Sequence, residues 1–554
     1  MPPTRCSLLR ENPRVNASLA KLTTPLPRNS RDFKLQASPR RRSYFRIRGC
    51  ARGRTIAQGE SLPLLLASML GLVEVILEKY GTDGIKPGDM FLSNDPYVGR
   101  GSHLPDIAAV MPVFSDGKLV AFVADIAHHA DVGGAVPGSM AGGMTEIYQE
   151  GLRIPPLRVM RDYKLDNNVM DLVLLNVRVP HERRGDYNAQ FAANLLGARR
   201  MEELFRRWTI EQFEEGAEAI LSAVARRIRV GISELPDGKY RFEDYLDDDG
   251  TGETDIPIKV EVEIKGDEIS FDFNGSSPQV LGNINVTTSG LQASVLYALK
   301  VLVDPEGPTN SGMMDPVTII APEGSIVNAD FPAATAARAQ TCQRIIDVVL
   351  GALALAAPEL VVAASNGTNT SCSFSGTAPD GTHYVYMETI GGGAGARAYK
   401  DGTDGVQVHV TNTSNLPIEA LEREYPLMIE RYEFVEGSGG LGKWRGGLGL
   451  RRVYRPIGHI CHFSGQGERF VFQPWGLFGG QPGRAGRFSL INDDGKVTPV
   501  PAKLTGLHIS EAARLQVETP GAGGYGNPKE RNPAYVEQDI RFGKIRADIN
   551  ADAA

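Results

Sequence analysis

Two histidine–aspartate pairs flank a short apolar hairpin and are the residues best suited to do chemistry. His103 precedes Asp106 by three positions, and Asp125 precedes His128 by the same spacing. Imidazole nitrogens and carboxylate oxygens are ligands for Zn, Mn or Fe(II), and two histidines with one or two aspartates leave positions open for water or substrate. The alternative is that the aspartates cap turns and the histidines bond the backbone.

The hairpin determines where the two pairs meet. Two apolar runs, IAAVMPVF and KLVAFVADIA, flank Asp116-Gly117, which is typical of a two-residue β-turn. With that loop length, Asp106 faces Ala127 across the two strands. Pairs that are distant in sequence therefore arrive at the same end of one hairpin.

Strict alternation of side chains between the two sheet faces would not bring the four residues into one site. It places Asp106 and Asp125 on one face of the sheet, and His103 and His128 on the other. A bulge, or a bend at Pro105, is needed to bring all four together. The sequence therefore predicts a metal site of these four residues on the condition that the strand pairing is irregular.

Burial makes the prediction more specific. Asp125 interrupts the apolar run LVAFVADIA, and a buried carboxylate costs several kcal/mol unless it is paired or metal-bound. Asp106 and Asp125 are candidates both for ligands and for the catalytic base. His129 and Asp131 are adjacent, and we interpret them as groups that orient a ligand.

Other polar residues have two interpretations each. Arg153 is a candidate for binding an anionic substrate or for a structural ion pair. Glu146 and Glu150 are candidates for acid–base groups or for a solvated face, and we favour the solvated face. Cys342 lies in an apolar helical pattern and is interpreted as core. The glycine-rich stretches 391–402 and 437–447 match neither a Walker A loop nor a dinucleotide-binding loop, so we assign them to turns.

The elements that position these residues alternate between helical and strand patterns. Of the 554 residues, 42% are hydrophobic and 23% charged, as in ordinary globular proteins. We predict an α+β fold of multi-layer mixed sheets with packed helices and a glycine-rich, β-type C-terminal half. Its regions are an Arg-rich segment (1–54), a metal-site region with hairpin and helices (55–235), a β/α middle (236–360), a β-rich region (361–528) and a polar, frayed tail (529–554).

Charge and cysteine content indicate the compartment and exclude some partners. Residues 1–54 carry a net charge of +12, and the remainder carries −19. Since basic and aromatic residues are not interleaved later, we expect no nucleic-acid partner. The longest apolar stretches, including a helix predicted over 61–81, contain acidic residues or proline, so we expect no membrane span. Five dispersed cysteines indicate a reducing, cytoplasmic setting.

Several long motifs resemble a known family. GDMFLSNDPYVGRGSHLPDIAAVMPVF, AHHADVGGAVPGSM, TEIYQEGLRIPP and GSGGLGKWRGGLGLRRVYR are similar to segments of the hydantoinase B/5-oxoprolinase family. That family includes the B component of N-methylhydantoinase and the large subunits of acetone and acetophenone carboxylases. The resemblance extends over roughly residues 55–528.

The resemblance implies a division of labour between two components. An A component with an actin-like ATPase fold uses ATP to phosphorylate the carbonyl oxygen of a cyclic amide. The B component then completes hydrolysis at a centre that holds a divalent Zn, Mn or Fe ion, where activated water attacks the carbon. We therefore expect an ATP-dependent cyclic-amide hydrolase that works as a hetero-oligomer.

The resemblance also implies the site residues. It assigns metal binding to His103, His128, Asp125 and Asp106, and it leaves open which aspartate is ligand and which is base. Asp32, in the segment RDF, matches a family aspartate that reaches the metal and is a further catalytic candidate. The Arg-rich segment after it departs from the family pattern, and we expect its strand there to be replaced or interrupted.

Two alternatives remain. The chain could be the large subunit of an acetone- or acetophenone-type carboxylase, although such subunits tend to be longer. It could also be an impaired, non-catalytic scaffold, as the unusual first 54 residues suggest. The complete His/Asp set argues against the scaffold.

Overall fold

The computed structural model describes residues 44–49, 53–59, 62–67, 69 and 71–545. The described residues form four β-sheets with helices packed between and around them. The predicted α+β class is confirmed. The regional divisions proposed from composition remain predictions.

The first sheet carries the hairpin. It has seven strands in the order β2-β1-β5-β4-β3-β6-β7, and every neighbouring pair is antiparallel. Its strands are β1 (Tyr44–Gly49), β2 (Thr55–Gln58), β3 (Met90–Ser93), β4 (Asp106–Ser115), β5 (Lys118–His128), β6 (Leu157–Arg161) and β7 (Lys164–Leu165).

Helices cover both faces of this sheet. On one face pack α1 (Pro63–Ala67) and α2 (Leu72–Gly84), and on the other α3 (Asn167–Leu175), α4 (Pro180–Phe205) and α5 (Ile210–Ser233). Because both faces are covered, β4 and β5 are buried along most of their length. Polar side chains on these strands are therefore enclosed by the protein.

The second sheet packs against a fully buried helix. Its strands, in the order β11-β10-β9-β8, are β8 (Gly238–Asp248), β9 (Thr254–Lys265), β10 (Glu268–Asp272) and β11 (Val317–Ile320). They pack with α6 (Thr288–Val303) and α7 (Arg338–Ala354). Every residue of α7 is buried. Arg338, in its first turn, bonds Asp106 at the end of the β4–β5 hairpin.

Two further sheets share a core in the C-terminal part. One has the order β13-β12-β16-β19 and the other β14-β15-β20-β17-β18. Their strands are β12 (Thr370–Thr377), β13 (His383–Ile390), β14 (Leu427–Phe434), β15 (Leu450–Pro456), β16 (Cys461–Gln466), β17 (Arg487–Ile491), β18 (Val497–Val500), β19 (Lys503–Ile509) and β20 (Arg514–Glu518).

Short helices complete the chain. They are α8 (Ile418–Glu424), α9 (Pro533–Arg541) and the 3₁₀ turns Ile147–Gln149, Ser311–Met314 and Pro528–Glu530. No helix in the described part of the chain is long and apolar enough to cross a membrane.

Glycines in the C-terminal region allow backbone segments to touch. A Cβ on Gly446 would lie 1.9 Å from the carbonyl oxygen of Ala522, and one on Gly393 would lie 2.1 Å from that of Gly447. Only glycine permits such an approach. The structural interpretation of the two glycine-rich stretches is confirmed, as is the burial of Cys342.

Three local expectations need correction. The helix predicted over 61–81 is broken into α1 and α2, because Gly71 adopts a left-handed φ of 86°. The Arg-rich segment, where the family strand was expected to be replaced or interrupted, does form a strand, β1, which pairs with β5. The tail after 528 is not frayed over its described part, because the Asp539 carboxylate on α9 is buried and accepts a 2.6 Å bond from Arg531.

The hairpin turn provides a clean test of backbone conformation. Gly117 has φ of 74° with open space around its Cα, whereas Gly185 lies within α4, is exposed and has equally open space. Gly117→Ala should lower the free energy of unfolding by about 1 kcal/mol, since only strain is added. Gly185→Ala should raise it by about the same amount. Urea unfolding of both variants measures the difference, and equal effects would contradict the turn geometry.

Candidate metal centre

Three of the predicted residues meet at the open end of the hairpin. Asp106 begins β4, His128 ends β5, and the two are directly paired across the strands. His103 lies in the turn before β4, where its carbonyl accepts from the Asp106 amide at 3.2 Å. One ligand atom from each residue lies within 4.8 Å of the other two. His103 and Asp106 are fully buried, and His128 is half-buried.

A β-bulge produces this convergence. Near the turn, Phe114 pairs with Leu119, as the two-residue loop predicts, but the register shifts between Val113 and Phe114. Beyond the bulge, Asp106 therefore faces His128 and not Ala127. A shift of one residue exchanges the faces of all later side chains. The irregularity that the sequence argument required lies beside the turn, far from Pro105.

The hydrogen bonds of His103 fix which nitrogen carries its proton. Nδ1 lies 2.9 Å from the carbonyl oxygen of Ala336. Because a carbonyl can only accept, Nδ1 must be the protonated nitrogen. Burial, aided by the charge of Arg338, lowers the pKa of His103 and favours the neutral ring. Nε2 then carries a lone pair, and that nitrogen is 3.2 Å from Oδ2 of Asp106.

The Asp106 carboxylate is held in its ionised form. Burial alone would raise its pKa, but attraction to His103 in its protonated form and to the Arg338 guanidinium outweighs burial and holds the pKa well below the ordinary range. Oδ2 accepts from the Arg338 guanidinium at 2.6 Å and from the Ser102 hydroxyl at 2.9 Å. Oδ1 is buried and has no hydrogen-bond partner among the described residues.

This arrangement fits a divalent transition metal. Two imidazoles and one carboxylate form a mixed N/O donor set that leaves coordination positions for water or substrate. In the neutral tautomer the Nε2 lone pair of His103 faces the Asp106 carboxylate, and nothing in the described chain donates a hydrogen bond to that nitrogen. A cation at this point would satisfy both acceptors. The N/O set suits Zn, Mn and Fe alike.

Asp125 is not part of the cluster. After the bulge it shares the opposite sheet face with Ala109 and points at α4. Its Oδ1 accepts from the side-chain amides of Asn194, at 2.9 Å, and Gln190, at 3.3 Å. Burial raises its pKa well above the ordinary value. We therefore remove Asp125 from the predicted donor set and assign it to the contact between α4 and the sheet.

The two neighbouring candidates also face away from the cluster. His129 bonds the Gln190 side chain at 2.9 Å, which links it to Asp125. Asp131 accepts from the backbone amides of Gly133 and Gly138 and pairs with Arg178. These bonds hold both side chains in the packing around α4 and the following loop, so we no longer interpret them as groups that orient a ligand.

Arg153 shows the ion pair that was one of its two interpretations. Its Nε lies 2.6 Å from Oδ2 of Asp95, and its guanidinium stacks over the rings of Tyr148 and Phe331. About a fifth of the side chain, 21%, is exposed. A role in substrate binding remains a prediction. Asp32 lies outside the described residues.

Glu150 is buried, contrary to the interpretation as a solvated face. It is 1% exposed, whereas Glu146 is exposed. Its Oε1 accepts from the amide of Ala336 at 2.7 Å. Burial raises the pKa of Glu150 to about 8.

Sequence reasoning missed the residues that support the cluster from a distance. Arg338, Ser102 and the backbone of Ala336 all contact the proposed ligands. The only signal for Arg338 was a cation at the start of an otherwise buried helix. Such a charge requires a buried partner but does not say which one.

Two solved structures share this architecture. An ATP-dependent caprolactamase from Pseudomonas jessenii superposes with a TM-score of 0.87, at 29% identity over 91% of this chain and 88% of that chain. An acetone carboxylase shares the fold with a TM-score of 0.85 at 19% identity, over 92% of this chain and 74% of that chain.

The chain belongs to the hydantoinase B/oxoprolinase family, whose model matches residues 48–528. A protein of Pseudomonas sp. strain NS671, whose name designates the B component of a D-/L-hydantoinase, is 34% identical over 90% of this chain and 87% of its own length. The beta component of the caprolactamase of Pseudomonas jessenii is 32% identical over 89% and 86%. The resemblance inferred from the motifs is confirmed.

The two aspartates of the hairpin form a matched pair for mutation. Asp106→Asn should weaken binding of Mn²⁺ or Zn²⁺ about a hundredfold or more, because an anionic donor is lost. Asp125→Asn should leave metal affinity unchanged, since Asp125 lies on the opposite sheet face and accepts from the side-chain amides of Asn194 and Gln190. Calorimetric titration of both full-length variants checks this. Equal losses in the two variants would contradict the assignment of opposite faces.

Proposed function

We propose that this chain is the metal-site component of an ATP-dependent hydrolase of cyclic amides, and that His103, Asp106 and His128 hold its metal ion. The observation that carries the proposal is the convergence of His103, Asp106 and His128, with Nε2 of His103 3.2 Å from Oδ2 of Asp106 and Nδ1 bonded to the carbonyl of Ala336. Its relatives named for hydantoinase and caprolactamase support the reaction type.

The residues of this chain divide the work at the centre. A divalent metal ion bound here lowers the pKa of water and polarises a substrate oxygen. Arg338 and Ser102 hold Oδ2 of Asp106, which leaves Oδ1 without a hydrogen bond and available to a metal ion. His128, half-buried, is the most exposed of the three residues. Asp32 stays a candidate for the base.

The amide must be activated elsewhere. An amide carbonyl is a poor electrophile, and phosphorylation of its oxygen makes the carbon reactive toward water. The segment GSGGLGKW (437–444) has Trp444 where a Walker A loop has Ser or Thr, and a strand rather than a helix follows its glycines, so it matches neither phosphate-binding loop. Relatives carry names that designate a B or beta component, which supports a separate A-type ATPase as the partner that uses ATP. We propose a hetero-oligomer of the two.

Hydrolysis is favoured over carboxylation. This chain covers 88% of the caprolactamase chain but 74% of the acetone carboxylase chain, and the latter comparison, at 19% identity, concerns fold alone. We propose a cytoplasmic location, because the described cysteines, Cys342, Cys372 and Cys461, are all free and buried.

Reconstitution tests the reaction. The full-length chain is combined with its A-type ATPase partner, Mg-ATP and a panel of lactams and hydantoins. We expect ring opening that requires ATP, stops when the metal is removed by a chelator and returns with Mn²⁺ or Zn²⁺. His103→Ala should lower turnover about a thousandfold or more, because the ion and its activation of water are lost.

The alternative reaction, carboxylation, is tested with labelled bicarbonate and a ketone in place of the cyclic amides. Incorporation of label into a carboxylated product, without ring opening of any cyclic amide, would contradict the hydrolase proposal. The exposed residue Glu146 supplies a control, since Glu146→Gln should leave turnover unchanged.

A further inference from the structure

Glu150 is a carboxylate that the proposed reaction does not use. It directly follows the 3₁₀ turn Ile147–Gln149. Glu146, Tyr148 and Gln149, which come just before it in the chain, are exposed, yet the Glu150 side chain is buried. Burying a carboxyl group is costly unless the protein gains a compensating bond. Its bond to the Ala336 amide, 2.7 Å long, is the compensation seen in the structure.

Ala336 connects this carboxyl group to the metal centre. Its amide donates to Glu150, and its carbonyl accepts from Nδ1 of His103. Two residues further along the chain, Arg338 bonds Asp106. One short segment therefore fixes the tautomer of one proposed ligand and the orientation of another.

The Glu150 side chain is one of several contacts between residues 146–150 and residues 332–336. The Ile147 amide donates to the Pro332 carbonyl at 3.0 Å, and Glu146 forms a backbone bridge with Ala333. These backbone contacts hold the two segments together whatever side chain stands at position 150. A substitution at Glu150 can therefore release the Ala336 peptide without separating the segments.

We propose that Glu150 is a positioning residue. It holds the Ala336 peptide so that the Ala336 carbonyl accepts a hydrogen bond from Nδ1 of His103, which directs the Nε2 lone pair toward Asp106. This inference rests on the proposed metal function. Partners that orient a metal-binding histidine commonly contribute about 10–100-fold to metal affinity. The role is one of geometry, and it requires an acceptor oxygen at the end of the side chain rather than a negative charge.

The full-length chain tests this role through three substitutions. Glu150→Gln keeps an acceptor oxygen at the same reach and should bind Mn²⁺ or Zn²⁺ as the wild type does. Glu150→Ala and the shorter Glu150→Asp should bind about 10–100-fold more weakly. Glu146→Gln, on the same segment but exposed, is the control; it keeps the acceptor oxygen that caps the 3₁₀ turn and should have no effect. If the alanine variant does not fold, the comparison of Gln with Asp decides.

Nitrogen-15 NMR of the metal-free chain, labelled at histidine, supplies an independent readout. In wild type and Glu150→Gln the His103 ring should be protonated at Nδ1, and in Glu150→Ala it should become a mixture of tautomers. An unchanged Nδ1 proton and unchanged affinity in Glu150→Ala would overturn the inference. Loss in Glu150→Gln equal to that in Glu150→Ala would overturn it as well, since charge would then be the cause.

The two proposals fail differently. A wild-type chain that binds no divalent metal contradicts the proposed function, while the tautomer readout still decides the role of Glu150. Intact metal binding with no effect of Glu150→Ala contradicts only the positioning role.

Discussion

A buried imidazole nitrogen and a buried carboxylate oxygen that face each other 3.2 Å apart constrain the structure around them. The carbonyl of Ala336 accepts a hydrogen bond from Nδ1 on the far side of the His103 ring, so in the neutral ring Nε2 meets Asp106 as a second acceptor. In a site closed to solvent, two acceptors at this distance repel unless a cation lies between them. The metal proposal follows from this repulsion, and His128 completes the donor set.

Several parts of the chain must be placed accurately to create that contact. The hairpin brings Asp106 opposite His128, and its bulge sets the register. Ala336, just before α7, and Arg338, its first residue, lie more than 200 positions further along the chain, and α7 itself packs against the sheet of β8 to β11. The donors thus come from local sequence, while the groups that orient them come from long-range packing. This separation matches the general pattern of metal sites, in which outer partners fix the tautomer and the angle of each ligand.

The sequence was informative where the cause was local. The Asp116-Gly117 turn and the apolar runs beside it predicted the hairpin, and the converging His/Asp pairs predicted a cluster at its end. The bulge leaves Val120 unpaired opposite the step from Val113 to Phe114. Pro112 indicates an irregular ladder, but it does not say which residue is skipped or on which strand, so the register could not be foreseen. That single irregularity moved Asp125 to the opposite face. The burial of Glu150 was not predicted, because a shared solvated face for Glu146 and Glu150 requires a regular helix. The chain forms only a 3₁₀ turn there, and Glu150 follows it as a buried residue.

The most direct measurement is anomalous diffraction from a crystal of the full-length chain soaked in Mn²⁺ or Zn²⁺, with data collected at the absorption edge of the metal. The account predicts one strong peak about 2.0–2.2 Å from a ring nitrogen of each histidine, with Nε2 as the donor in His103, and at a similar distance from a carboxylate oxygen of Asp106. A well-diffracting crystal with no peak among His103, Asp106 and His128 after soaking with each metal would contradict it. The facing acceptors would then have to be bridged by a proton or by water.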